Sequence, residues 1–427
     1  VSPGNPLQDR RERPDLAPED ALRIILDGCS PLPTSDCSLA AGVGRVLAAP
    51  IISTVALPPF DNAAMDGFAL GGTAAPLAAG AEIPLEGRQA AGDGPSCAQG
   101  GAWEIMTGAR LPDGLDRVVP FERAELLEEP PRIRLLADVT ARQNVRGAGS
   151  DVRPGETVLE AATVLAPRHL MLLAALGFAR MPVIERPRVA ILCTGKELID
   201  DSSRTLATGQ IRDANGPFLA ACIPLAGAEM AYAQTVTDDS EAFCTALQRA
   251  QDARAHVVVS TGAVSMGRYD FVPETLERFG ACIAFHKIAI RPGKPLLFAR
   301  LPEGALFFGL PGNPMAAAVG WRFFVEPALR AMLRLPLERP RRLPLHAAFR
   351  KEAPLRFHLK SRVRPDAEDR VAVHILSGQE SYRIRSIAQA DAWTVIAAET
   401  DFLPAGAMVD VYGMSHLETS TAWGNAV

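Results

Sequence analysis

Between residues 189 and 315 the chain repeats one arrangement four times: a short apolar run breaks directly into a loop of glycine, hydroxyl-bearing and acidic residues. Residues 189–193 lead into Thr194-Gly195-Lys196-Glu197, and residues 232–236 lead into Asp238-Asp239. Residues 257–260 lead into Thr261-Gly262-Ala263-Val264-Ser265-Met266-Gly267, and residues 306–310 into Pro311-Gly312-Asn313-Pro314. Runs this short and largely apolar, separated by helix-like stretches, read as buried parallel strands. An open α/β sheet binds its ligands in the loops beyond the carboxyl ends of its strands. Four such loops therefore predict a single crevice.

The rest of the chain surrounds this segment with other kinds of text. A helix is expected at residues 18–27, where Pro18 sits early, Glu19 and Asp20 fill the first turn and Gly28 follows. Residues 56–152 are rich in glycine, proline and short alternating runs, the signature of a β-rich module. Helical periodicity returns at 169–176, so the module reads as an insertion in a small helical N-terminal domain of residues 16–55 and 153–186. The α/β domain is expected at 187–334, with helices at 216–225, 240–253, 273–279 and 315–331. Residues 335–344 carry three prolines and three arginines and read as a linker. Three strand-like runs follow, at 371–376, 393–398 and 408–412, making residues 335–427 a small β-barrel or sandwich domain.

Composition narrows the class. With 48% hydrophobic and 22% charged residues the chain is that of a globular protein, and no apolar run approaches the roughly 18 residues of a membrane span. The polar stretch 1–15 reads as loosely attached and carries no secretory signal. Seven cysteines include no C-x-x-C pair, so a reduced, cytoplasmic setting is expected rather than a disulfide framework. None of the seven histidines has zinc-ligand spacing. A net charge of −5 argues against a general nucleic-acid binder.

The strand-end loops supply Glu197, Asp213, Asp238, Asp239 and Asp270. Two carboxylates about 4 Å apart repel by about 4 kcal/mol at an effective dielectric near 20, so a cluster of them must hold a cation, hold a proton or face solvent. Magnesium suits oxygen ligands beside a phosphate; helix caps and solvated loop residues are the plain alternative. The loop Thr261 to Gly267 offers backbone N–H groups to an oxyanion, or is an ordinary tight turn. Lys287, Arg291 and Lys294 form a cationic run in Lys287-Ile288-Ala289-Ile290-Arg291-Pro292-Gly293-Lys294. Cations beside acids suit an anionic substrate that also needs a metal, whereas a solvated edge strand is the plain reading.

Several spaced motifs make the chain resemble the MoeA-type molybdopterin molybdenumtransferases, the family that includes the gephyrin E domain. They are Pro59-Phe60-Asp61-Asn62-Ala63-Ala64-Met65-Asp66-Gly67, Thr107-Gly108-Ala109, Thr194-Gly195-Lys196-Glu197-Leu198, Gly209-Gln210-Ile211-Arg212-Asp213-Ala214-Asn215, Ser265-Met266-Gly267 with Asp270, Arg291-Pro292-Gly293-Lys294-Pro295 and Leu310-Pro311-Gly312-Asn313-Pro314. The resemblance implies a four-domain homodimer that inserts molybdenum from molybdate into adenylylated molybdopterin and releases AMP, with Mg2+ assisting. It also implies a cleft between the α/β domain of one subunit and the inserted domain of the other.

Carried over by motif, Asp66, Thr107 and Asp151 belong to the inserted-domain side. Asp66, Glu197, Asp239 and Asp270 are then the catalytic candidates, with Glu197, Asp239 and Asp270 as metal ligands. Thr194, Gly195, Asp213, Ser265, Gly267, Lys287, Arg291, Lys294, Pro311, Gly312, Asn313 and Pro314 join Thr107 and Asp151 in binding substrate. Molybdate is assigned to Arg291, Lys294, Lys360, Arg362 and Ser381, with either Lys360 or Arg362 as its own cation. The chain has Lys196 where the family pattern has Asp, and Ala263 where it has Gly. The rival expectation is a non-catalytic carrier or assembly scaffold that binds the cofactor for an acceptor molybdoenzyme. It is separated from the enzyme by the absence of AMP release.

Overall fold

The structure, a computed structural model, describes residues 15–72, 74–264, 271–351, 354–365 and 369–417. Ser265, Gly267 and Asp270, all candidate site residues, lie outside the described residues. The chain divides into two compact units, Val1–Ser35 with Ile184–Val427 and Asp36–Val183. No helix among the described residues is long and apolar enough to cross a membrane.

The first unit is built on a six-stranded sheet. Its elements in chain order are β1 (Arg188–Thr194), α1 (Asn215–Leu225), β2 (Glu229–Val236), α2 (Ser240–Asp252), β3 (Val257–Thr261), α3 (Val272–Arg278), β4 (Cys282–His286), β5 (Leu297–Arg300), β6 (Leu306–Leu310) and α4 (Pro314–Gly320). The spatial order is β2-β1-β3-β6-β5-β4. The four strands read from the sequence are parallel neighbours, with Cys193 opposite Thr261 and Thr261 opposite Leu310. The chain leaves β1 toward β2 on one side and returns to β3 on the other, so the switch in direction falls between β1 and β3. The sequence did not announce β4 and β5, an antiparallel pair beside β6. Helix α2 turns Phe243, Ala246, Leu247 and Ala250 inward, at the spacing of one helical face, onto Val258 and Phe307.

The helix expected over 315–331 is interrupted. After α4 the backbone widens into a π-turn, Trp321–Val325, before resuming as Glu326–Met332. The helix Pro18–Asp27 lies in this first unit. Ala21 and Ile25 of that helix are fully buried, and the Leu32 N–H beyond it donates to the Met332 carbonyl at 2.9 Å.

The C-terminal region holds more strand than the sequence suggested. Arg341–Pro344 lies inside the expected linker and pairs with Met408–Tyr412; its arginines and proline disguise an edge strand. The ten residues Arg356–Pro365 pair with Val371–Ile375 on one side and Ala392–Ile396 on the other. Four cationic residues hid this strand, although Phe357, Leu359 and Val363 keep an inward alternation. A single bridge, Leu345 to Val373, links the edge near Arg341–Pro344 back to Val371–Ile375.

The second unit contains the β-rich module as a six-stranded sheet: Arg117–Pro120, Gly67–Leu70, Ala102–Ile105, Glu82–Gln89, Arg132–Leu135 and Ala124–Leu127 in spatial order. Buried Phe68, Leu70, Val119 and Ile133 hold it on one face, and Ala63, Ala69, Ile105 and Val118 on the other. The helix Pro167–Ala175 closes the unit, its Leu173 buried with Leu47 and Val183.

Candidate active site

The carboxyl ends of β1, β3 and β6 open onto a cleft of about 750 Å³, where an α/β sheet of this winding receives its ligand. Cross-strand hydrogen bonds hold its floor together. The Thr194 hydroxyl donates to the Thr261 carbonyl at 3.0 Å, and the Gly262 N–H donates to the Leu310 carbonyl at 3.0 Å. Gly262 has φ +91°, and a β-carbon there would stand 2.5 Å from the Thr194 carbonyl oxygen. Only glycine lets these two loops approach so closely. Its neighbour Ala263 also has positive φ, +51°, in the left-handed region that a β-carbon disfavours by about 1–2 kcal/mol.

Thr194, Gly195, Glu197, Asp213, Pro311, Gly312, Asn313 and Pro314 all line the cleft. Asp213 is occupied structurally. One of its carboxylate oxygens accepts from the Asn215 and Gly216 N–H groups, each at 3.0 Å, at the start of α1. Asn215, 8% exposed, reaches across to donate from its amide to the Gly312 carbonyl at 2.9 Å.

At the end of β2 the lining acid is Asp238, not Asp239. Asp239 is the N-cap of α2, its carboxylate accepting from the Ala242 N–H at 2.8 Å. Asp238 accepts from the Lys196 N–H at 3.2 Å and so joins the β1 and β2 loops. The signal was available: an Asp directly before a helix of sequence Ser240-Glu241-Ala242 suits capping better than ligand binding.

The cationic run does not reach this lining. Lys294 pairs with Asp15 at 2.7 Å, and the Arg291 guanidinium lies 5.4 Å from the centre of the Phe357 ring. Lys287 has φ +83° as the backbone turns between β4 and the Ile290–Arg291 strand. Burial of Ile288 and Ile290 fixes which way that stretch faces. Among the described residues the cation on the lining is Arg212, which donates to the carbonyls of Asp201 and Arg204. It stands within a motif already singled out by Asp213 and Asn215.

The remaining wall comes from downstream. Tyr382 and Ile384 line the cleft, one and three residues beyond the candidate Ser381. The Ser381 carbonyl accepts from the Met315 N–H at 3.0 Å, fastening this segment to the start of α4. Lys360, 1% exposed, donates from its ammonium to the Gly378 carbonyl at 2.7 Å and the Arg383 carbonyl at 3.2 Å. Burial lowers its pKa from the ordinary lysine value. Arg362 donates to the Gln389 carbonyl.

In the second unit the Asp66 carboxylate accepts from both the N–H and the hydroxyl of Thr107, at 2.6 and 2.7 Å. These bonds, the backbone one foremost, hold its pKa below the usual aspartate range. The Asp151 N–H donates to the Leu57 carbonyl at 2.9 Å and the residue is exposed. Among the described residues no group of three or more histidine, cysteine or acidic side chains is arranged to hold a metal.

Comparison with known proteins accounts for nearly the whole chain. Residues 16–177 match the model of the MoeA N-terminal region, domains I and II. Residues 190–331 match a probable molybdopterin binding domain, and 342–414 the MoeA C-terminal region, domain IV. The molybdopterin molybdenumtransferase of Synechococcus elongatus is 38% identical over 374 residues, 86% of this chain and 91% of that protein. That of Staphylococcus aureus is 32% identical over 326 residues, 75% of this chain and 77% of its own length. A crystal structure of the molybdopterin biosynthesis moeA protein from Pyrococcus horikosii superposes with a TM-score of 0.77 at 27% identity, covering 94% of this chain and 100% of the other.

Proposed function

The chain belongs to the MoeA family of molybdopterin molybdenumtransferases, and we infer that it inserts molybdenum from molybdate into adenylylated molybdopterin, releasing AMP. The observation that carries this is the cleft at the carboxyl ends of β1, β3 and β6, lined by residues of four family motifs. A pterin nucleotide and molybdate are both anions, and the lining offers the Arg212 guanidinium as a charged donor.

Mg2+ fits the donor set without a three-acid cage. Magnesium is commonly held by one or two carboxylates plus substrate phosphates, and Glu197 and Asp238 supply two on the lining. An ion there would neutralise charge on the phosphate oxygens as the anhydride breaks. Asp213 orders the loop by capping α1, and Tyr382 with Ile384 completes the lining on one side. We assign Ser381 and Arg362 to molybdate, with Lys360 acting on that site through the segment it fastens.

Two further assignments belong to the same reading. The molecule works as a homodimer in which Asp66, Thr107 and Asp151 of a second copy face the cleft; the family resemblance and the Thr107 bonds that keep Asp66 ionised support this. The chain is organised as residues 16–55 with 153–186, 56–152, 187–334 and 335–427, the last a small barrel, which the Leu345 to Val373 bridge supports.

Incubation with adenylylated molybdopterin, molybdate and magnesium should release AMP. Glu197→Ala and Asp238→Ala should each lower that rate by at least 100-fold with unchanged thermal unfolding. Binding without AMP release in the unaltered protein would make it a carrier, and full activity in both variants would remove the acidic pair from the reaction.

A further inference from the structure

The opposite ends of the same strands hold a second pocket, of about 440 Å³, within the usual range for small-molecule sites. Arg188 begins β1, His256 directly precedes β3, Arg300 ends β5, and Arg254 lies between α2 and β3. All four line this pocket. Among the described residues Glu303 is its only acidic lining residue, and it forms no ion pair with any of the three arginines.

Hydrogen-bond donors outnumber acceptors here. Arg188 uses its Nε on the Arg254 carbonyl at 2.7 Å, and Arg300 donates to the Gly28 carbonyl at 2.9 Å. The His256 ring has the Arg188 N–H 3.0 Å from Nδ1 and the Arg188 guanidinium 3.1 Å from Nε2. A neutral imidazole accepts at one nitrogen only, so one of these contacts sets N–H against N–H. Gln251 sharpens the imbalance. It lines the pocket at 6% exposure, and its amide Nε2 has no acceptor among the described residues.

A buried donor without an acceptor is an exception that calls for a missing partner. Three guanidinium groups and an amide donor around one space call for an oxyanion, and the planar guanidinium fork matches phosphate. Leu32, Ala255, Leu306 and Met332 give the wall an apolar part. We propose that this pocket is a second ligand site, separate from the cleft, for a phosphate monoester with a compact apolar body. The phosphate lies among Arg188, Arg254, Arg300 and the Gln251 amide, and the apolar body rests against Leu32 and Met332.

Phenyl phosphate is a suitable probe, titrated calorimetrically into the full chain beside inorganic phosphate, phenol and benzoate. Phenyl phosphate should bind saturably and more tightly than inorganic phosphate, and phenol should not bind. Arg254→Glu should weaken phenyl phosphate at least tenfold and Gln251→Leu several-fold. Glu197→Ala, at the far ends of the strands, should leave the affinity unchanged. Circular dichroism checks folding, and Arg254→Ala serves if the glutamate variant is unfolded. Absence of saturation, equal affinity in the arginine variants, or tighter binding of benzoate would each overturn the proposal.

Discussion

The Asn215 side-chain amide donates to the Gly312 carbonyl at 2.9 Å, joining the first residue of α1 to the turn after β6. The bond crosses the cleft floor between two segments that are 97 residues apart in sequence. Asn215→Ala leaves the Gly312 carbonyl without that donor, at a loss of about 1–3 kcal/mol. Asn215→Asp sets a carboxylate oxygen against the carbonyl and should be worse. Urea midpoints rank the two variants, and both should raise the KM for the pterin nucleotide in the AMP-release assay.

Ala263→Gly tests the strained turn. Removing the β-carbon relieves the φ of +51° but returns freedom to the unfolded chain, offsetting terms of about 1 kcal/mol each. Ala263 also packs against the sheet core. The net change in unfolding free energy should stay within about 1 kcal/mol, while Ala263→Val should lose more. Thermal melts of the two variants decide the order.

Lys360→Met keeps the length of the side chain and removes both carbonyl bonds. The segment bearing Ser381, Tyr382 and Arg383 should loosen, so trypsin should cut after Arg383 or Arg385 at least tenfold faster than in the unaltered protein. Equal cleavage rates would mean that Gln379, which bonds the Lys360 backbone at both N–H and carbonyl, suffices to hold the segment.

Acid should destabilise the protein through two histidines. Burial pushes both His358 and His416 down to about 3 from 6.5. His416 sits 3.1 Å from the Ala226 carbonyl at Nε2 and 3.4 Å from the Arg330 guanidinium at Nδ1, an arrangement suited to the neutral ring. Below pH 6.5 the unfolded chain binds protons that the folded chain refuses. Their stabilising contribution is therefore full above 6.5 and is lost as pH falls toward 3, by up to about 1.4 kcal/mol per pH unit for each ring. Denaturation free energies at pH 7 and pH 5 measure the slope, and His358→Phe should lower it by up to one proton.

The parallel strands β1, β3 and β6 were legible because burial on both faces leaves a nearly unbroken apolar run, whereas β2, at the sheet edge, is only partly buried and carries Gln234 and Thr235. Arg356–Pro365 was not, because its exposed and partnered cations outnumber the inward Phe357, Leu359 and Val363. Cleft-lining residues beside the strand ends, such as Thr194, Gly195 and Asn313, could be placed from strand ends alone. Side-chain direction could not: Lys294 turns to Asp15 and Arg291 to Phe357, choices made by neighbours distant in sequence. The Asp238 and Asp239 pair shows the same limit at one-residue scale, since helix capping draws one carboxylate from the cleft and leaves the other.

The origin of the cleft wall has a consequence for engineering. Tyr382 and Ile384 reach the α/β loops from beyond residue 335, so the site has two separately encoded parts. Excising the α/β segment would remove a face of the binding surface along with the C-terminal strands. Conversely, grafting the 377–386 segment of a relative would alter substrate preference while every strand-end loop stayed as it is. Selectivity could thus diverge by recombination at the 335 junction, without a single point change in the sheet.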